Sequence, residues 1–313
     1  MRIGIDLGGM TIKAGLVTED GKILHKDAVP TEAQRHYTEI LADMAKLAIK
    51  VCEDAGYRMD EITSVGIGSP GSCDAKNGVL VYANNINFHN VPVRTEIQKY
   101  INKPVYLEND ANVAAYAEYR LGGKEMECFI AVTLGTGVGG GIIMNGKIFS
   151  GHNGAGGELG HMVIKKDGKP CSCGRKGCWE AYASATALIA QTKNAILDHK
   201  ESVMNDIIGG DIDKVDGKTA FDAAKQGDEA AIEVVKKYTE YVGVGIANLI
   251  NIFQPEKIVI GGGISNQGNY LLNLIKEYCT FEVYSGAKIG GIDIEIAQLG
   301  NDAGIIGAAL LNE

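Results

Sequence analysis

The sequence has no stretch approaching the roughly 18 consecutive apolar residues that a helix needs to cross a bilayer. Its first residues, MRIGIDLGG, lack the apolar core and small-residue cleavage site of a secretory signal. Membrane insertion and export are not expected, and the chain reads as cytoplasmic. Positive charge is short as well: 30 Lys and Arg face 39 Asp and Glu, a formal charge of -9. That balance repels phosphate backbones and anionic lipid, so neither nucleic acid nor a membrane is an expected partner. Small anionic ligands stay in play, because backbone amides supply donors locally. Proline is sparse, at 6 residues, and no proline-rich or Gly/Ser linker divides the chain. Closely joined lobes around a cleft are expected rather than domains on a string. The 7 cysteines are odd in number and three crowd together as Cys171, Cys173 and Cys178. A metal site suits that clustering better than a disulfide framework. Cys52, Cys73, Cys128 and Cys279 read as ordinary buried thiols.

What is present is an ordinary globular composition, 45% hydrophobic and 22% charged, over 313 residues. That length exceeds what one core usually supports, so two domains of about 150 residues are expected. Glycine stands out at 42 residues, and the glycines cluster. The opening segments RIGIDLGG, TIKAGLV and KILHKDAV alternate apolar with small or polar positions and predict a three-stranded meander. Ile40, Leu41, Met44, Leu47 and Ala48 then recur at helical spacing between Tyr37 and Val51. Strand signals return at ITSVGIG and PVYLEN. A helix is predicted from about Asp110 to Tyr119, with Asp110 near its start, where the helix dipole favours negative charge. CFIAVTLGTGVGGGIIMNGKIF repeats the meander, with Leu134 and Gly135 falling where Leu7 and Gly8 fall in the first, which suggests two similar halves. An amphipathic helix from Ala231 to Ile250, the strand KIVI and a last helix near Asp302 to Leu311 complete the pattern.

Glycine-rich turns let backbone amides approach phosphate oxygens. In DLGGMT, Gly8 and Gly9 do this between an acid, Asp6, suited to orienting magnesium through water, and the hydroxyl of Thr11, with Lys13 nearby. LGTGVGGG repeats the design with Gly135, Thr136 and Gly137. Tight turns alone explain one such loop; two in equivalent places favour a nucleotide. The third cluster, Gly261, Gly262 and Gly263, either approaches an adenosine or is a bare strand-to-helix turn. None fits a Walker A loop or the GxGxxG of a dinucleotide fold. Asp110, in ENDAN, suits a general base for an alcohol, but Asn109 and Asp110 also suit a helix cap. Glu158 and His161, three apart in GELGH, can aim both side chains one way in a turn, or are a solvated surface pair. CxC, a third Cys four residues on and a His ten residues before supply three thiolates and an imidazole for a closed, structural zinc.

These residues resemble the bacterial ROK sugar kinases (repressor, open reading frame, kinase), within the actin, heat-shock chaperone and hexokinase superfamily. The resemblance rests on DLGGMTIKAGLV, LENDANVAAYAE, LGTGVGGG, GAGGELGHM and CSCGRKGCWE in family order and spans nearly the whole chain. It implies an α/β fold of two actin-like (ribonuclease H-like) lobes, each a mixed five-stranded sheet flanked by helices, with a cleft between. The expected lobes are residues 1–117 with 299–313, and 118–298. It further implies ATP with Mg2+, one structural Zn2+ held by His161, Cys171, Cys173 and Cys178, and Asp110 as catalytic base. Asn85, Asn109, Asp110, Glu158, His161 and Glu180 are the implied sugar contacts, and a homodimer or higher homo-oligomer is expected. Met10 departs from the family by standing where its first loop has threonine. D-glucose is the first expected substrate, with N-acetylglucosamine, N-acetylmannosamine, fructose and allose as alternatives. A sugar-responsive repressor on the same core is the competing class. His161 and Glu180 being tied to the metal, its loss is expected to weaken the sugar site and leave the phosphate loops intact.

Overall fold

The computed structural model describes residues 1–83, 85–122, 125–284 and 292–312. Alternation at the N-terminus produces β1 (Arg2–Leu7), β2 (Thr11–Val17) and β3 (Ile23–Pro30), an antiparallel meander. Helix α1 (Tyr37–Asp54) follows and buries Ile40, Leu41, Met44, Leu47, Ala48 and Val51. Next come β4 (Ser64–Ser69), β5 (Ser72–Asp74), β6 (Val79–Ala83), β7 (Phe88–Val91) and α2 (Val93–Gln98). Then β8 (Val105–Asn109) leads directly into α3 (Asp110–Leu121). The first sheet runs β3-β2-β1-β4-β8, with β4 parallel to both β1 and β8. Its inner strands are buried on both faces, which is why SVGIGS and RIGIDL read as short apolar runs rather than clean alternation.

The second meander is β9 (Cys128–Leu134), β10 (Val138–Met144) and β11 (Lys147–Ile148). Helices α4 (Glu180–Ala183), α5 (Ala185–Asp198), α6 (Val203–Ile207), α7 (Thr219–Ala224) and α8 (Glu229–Phe253) follow. The chain ends with β12 (Lys257–Gly261), α9 (Asn269–Glu282), β13 (Asp293–Ile296) and α10 (Ala303–Leu310). The second sheet runs β11-β10-β9-β12-β13, strand for strand the order of the first. In both, an antiparallel meander continues into two parallel strands, which is the duplication that the repeated Leu-Gly pattern suggested.

The chain forms two compact units, one of Met1–Glu125, Gly141–Gly157 and Leu299–Glu313, the other of Met126–Gly140 and Glu158–Gln298. In the first, α10 lies backbone to backbone on the sheet. A Cβ at Gly4 or Gly66 would run into the carbonyls of Ile305 or Ala308, and one at Gly307 into that of Val113 in α3. Sequence periodicity missed the small sheet β5-β6-β7, whose strands of three to five residues are too short to show a repeat. No helix among the described residues is long and apolar enough to cross a membrane.

Candidate active site

All the residues singled out in the sequence lie among those described. In the first unit, the β1–β2 turn carries the first glycine pair. The N–H of Gly8 donates to the Thr11 carbonyl at 3.0 Å, and the buried Thr31 hydroxyl donates to the Gly8 carbonyl at 2.7 Å. Met10 gives its carbonyl to the Thr31 N–H at 2.9 Å and points its side chain outward, 87% exposed. The thioether therefore leaves the turn unfilled. Asp6 pairs with Lys13 at 3.3 Å, and its carboxyl group lies against the first turn of α10, where a Cβ at Gly304 would come within 2.9 Å of it. A carboxylate at a helix N-terminus is electrostatically favoured. The β6–β7 turn brings Asn85 against this loop: its Cβ would lie 3.3 Å from one built on Gly9.

Where β8 becomes α3, the structure shows which of the two residues caps the helix. Asn109 is the N-cap, its Oδ1 accepting from Ala111 at 2.9 Å and Asn112 at 3.2 Å. Its Nδ2 donates to the Gly71 carbonyl at 3.0 Å, which leaves one amide hydrogen for a ligand. The buried Glu108 fastens the junction from beneath, accepting from the Asn109 N–H at 2.8 Å and the Asn112 Nδ2 at 3.0 Å. Asp110 is thus the first helical residue rather than the cap, and its Oδ1 accepts from the Ala111 N–H at 2.8 Å. Cys73, buried nearby, has its thiol pushed up by burial and by the charges of Glu108 and Asp110.

In the second unit, the β9–β10 turn occupies the place that the first glycine loop holds in its own sheet. The Gly135 N–H donates to the Gly137 carbonyl at 3.0 Å, and the Thr136 carbonyl accepts from the Thr186 hydroxyl at 2.8 Å. Gly261 ends β12, Gly262 turns with φ 84°, and Gly263 opens a short 3-10 turn that precedes α9. A Cβ at Gly262 would sit 2.5 Å from the Leu134 carbonyl, so the second and third glycine clusters are neighbours.

The ligating atoms of His161, Cys171, Cys173 and Cys178 all lie within 4.8 Å of one another. Cys173 and Cys178 sulfurs are 3.7 Å apart, and the Cys171 sulfur is 3.8 Å from Nδ1 of His161. A tetrahedral ion with metal–sulfur bonds of about 2.3 Å would space its sulfurs by about 3.8 Å. Burial and the neighbouring Cys173 and Cys171 push the Cys178 thiol up to about 12, whereas the Arg175 N–H draws Cys173 down. Gathered thiols of this kind are relieved by a cation. Left-handed Gly174 and Gly177 turn the chain between them. The knuckle docks through Trp179, the sole tryptophan, fully buried, which donates to the Tyr241 carbonyl at 2.8 Å. Its ring covers Gly245 of α8 where any side chain would collide.

Both carboxylate oxygens of Glu180 have protein partners. Oε2 accepts from the Val138 N–H at 3.1 Å and fills the space a Cβ at Gly137 would need. Oε1 accepts from the Ser172 hydroxyl at 3.3 Å and faces the Cys171 thiol at 3.6 Å. One carboxylate therefore ties the thiol knuckle to the second glycine loop, so that loop is not independent of the knuckle. Glu158, by contrast, is exposed at the start of the 3-10 turn that bears His161.

The family model of ROK proteins matches residues 2–313. The chain belongs to the ROK family. A glucokinase of Thermotoga maritima is 38% identical over 309 residues, 98% of this chain and 95% of that protein. A ROK glucokinase of Streptomyces griseus, solved with glucose and AMPPNP, superposes with a TM-score of 0.81 at 35% identity, covering 98% of this chain and 97% of that one. A xylose repressor of Caldicellulosiruptor bescii is 32% identical over 97% of this chain but 76% of its own length. Within the ROK family the kinases are thus the better match, in identity and in coverage.

Proposed function

We propose that this chain is an ATP-dependent hexose kinase that phosphorylates the 6-hydroxyl of D-glucose. The observation that supports the proposal is the β8–α3 junction: Asn109 takes the cap, and Asp110, the first residue of the helix, is placed beside it as the base. In this reading Asp110 accepts the proton of the sugar hydroxyl as its oxygen bonds to the γ-phosphorus. The bond to the bridging β–γ oxygen breaks, and ADP leaves with its magnesium. Asn85, the remaining amide hydrogen of Asn109, Glu158, His161 and Glu180 position the sugar. Gly8, Gly9 and Thr11 of the first loop, and Gly135, Thr136 and Gly137 of the second, hold phosphates. Asp6 and Lys13 orient Mg2+ and a phosphate oxygen, and Gly261, Gly262 and Gly263 receive the adenosine. The functional halves are residues 1–117 with 299–313, and 118–298.

The thiol knuckle would hold one zinc through Cys171, Cys173, Cys178 and Nδ1 of His161. Four protein ligands leave no open position, so this ion is structural and serves to fix side chains. With Nδ1 on the metal, His161 carries its proton on Nε2 and can donate it to a sugar hydroxyl. A coupled assay with ATP, Mg2+ and a panel of hexoses tests the reading, with glucose expected to give the highest kcat/KM. Asp110→Asn should lower kcat at least ~100-fold and leave the Kd for glucose within a few-fold. Near-normal turnover in that variant would overturn the base, and no turnover with any hexose would overturn the kinase.

A further inference from the structure

Thr31 belongs to none of the motifs above, yet it touches the first glycine loop twice. It follows β3 directly, and its side chain is fully buried. A hydroxyl so placed needs an acceptor, and it finds the Gly8 carbonyl at 2.7 Å. The N–H of the same residue donates to the Met10 carbonyl at 2.9 Å. One residue thus holds the two peptides that flank the Gly9–Met10 bond.

A trans peptide is planar, so its C=O and N–H point in opposite directions. Fixing the Gly8 carbonyl on Thr31 therefore turns the Gly9 N–H away from Thr31, and fixing the Met10 carbonyl does the same for the Thr11 N–H. Among the described residues, the N–H groups of Gly9 and Met10 donate to nothing in the protein. Adjacent free amides on a turn are donors for an anion. The side chains at the tip of the loop do not set this shape, because Gly8 and Gly9 have none and that of Met10 is 87% exposed. Thr31 is held in turn from behind. Arg35 donates from Nη2 to its carbonyl at 3.2 Å and from Nη1 to Asp43 of α1 at 2.8 Å.

We propose that Thr31 is a positioning residue for the phosphoryl donor, its hydroxyl and N–H setting the first glycine loop in the shape whose free amides meet the phosphates of ATP. The role rests on the kinase reading above and adds to it a residue that touches neither substrate. Position 10 then supplies only backbone groups to the brace, which a methionine does as well as a threonine.

Thr31→Val removes the hydroxyl and keeps the size of the side chain, whereas Thr31→Ser keeps the hydroxyl. Calorimetry with Mg2+-AMPPNP and, separately, with glucose is run on the full chain and both variants, with steady-state kinetics beside it. Thr31→Val is expected to weaken AMPPNP and raise KM for ATP about three- to tenfold, the range of one neutral hydrogen bond, and to leave the Kd for glucose within about twofold. Thr31→Ser should restore nucleotide affinity to within about twofold of the parent. A residue that merely supports the fold would lower Tm and spare both ligands, or weaken both alike. Equal nucleotide affinity in the parent and Thr31→Val overturns the proposal, as does a loss for glucose as large as that for AMPPNP, or a serine variant no better than valine. If Thr31→Val does not fold, Arg35→Met loosens the same residue from its partly exposed side, and Asp43 keeps Lys46 at 3.1 Å. That variant should weaken AMPPNP at least about twofold with glucose unchanged, and no change in it would be equally fatal. A parent chain that binds no AMPPNP defeats the kinase reading together with the brace, whereas normal binding in the parent and in Thr31→Val defeats the brace alone.

Discussion

Gly137→Ala probes the joint between the knuckle and the second glycine loop. Gly137 is not among the left-handed glycines, so alanine meets no backbone penalty there. Its methyl group, however, occupies the place of the Glu180 carboxylate. Displacing Glu180 breaks the 3.1 Å bond from the Val138 N–H and leaves that N–H in a residue only 6% exposed. A hydrogen bond to a charged acceptor contributes about 1.5–3 kcal/mol, and we take about 2 kcal/mol as the cost. For a unit of this size that corresponds to a fall in Tm of about 4–8 °C. The decisive measurement is a double-mutant cycle followed by thermal unfolding. In a Glu180→Ala background the methyl group has nothing to displace, so Gly137→Ala should change Tm by less than about 2 °C, or raise it slightly by stiffening the unfolded chain. The same loop variant should raise KM for ATP. If Gly137→Ala costs as much without the Glu180 carboxylate as with it, the clash lies elsewhere and the joint does not exist.

Two other outcomes are expected. The purified protein should contain about one zinc per chain, and its chelation should shift Trp179 emission to the red, because Trp179 follows ligand Cys178 and is fully buried. Through Glu180, KM should then rise for ATP as well as for glucose; a rise for sugar alone would show that the loop stands without the knuckle. Asp228 caps α8 and accepts from Ala231 and Val203 at 2.8 Å and from Ser202 at 3.0 Å. Burial raises its carboxyl, but these donors outweigh burial and hold it below the ordinary 3.8. The stabilisation is complete above that value and is lost as pH falls through the lower folded value. Asp228→Ala should therefore cost about 1–2 kcal/mol near pH 7, with the gap to the parent narrowing below about pH 4. A gap that stays constant down to about pH 2.5 would refute the assignment.

Much of this molecule was legible before folding was considered. Alternation in RIGIDL and TIKAGLV, the stripe from Ile40 to Val51 and the repeated Leu-Gly turns specify elements through neighbours a few residues apart, and the same strand order then arises twice. The thiol knuckle is equally local, since Cys171, Cys173 and Cys178 fall within a single tight loop. Even so, Asn109 and Asp110 could not be told apart in sequence, because both suit a cap. Folding decided it through Gly71, whose carbonyl holds the Asn109 amide from 38 residues away.

What periodicity could not reach are the meetings of side chains from distant segments. Asn85 reaches Gly9 because strands too short to show a pattern form a third sheet. Glu180 joins Val138 across 42 residues of chain, so a residue expected at the sugar also braces a glycine loop. Local elements follow from residue spacing because hydrogen bonds and buried faces repeat along the chain. The joints between them follow only from packing, where a missing Cβ at Gly137 or Gly245 decides which side chain can come close.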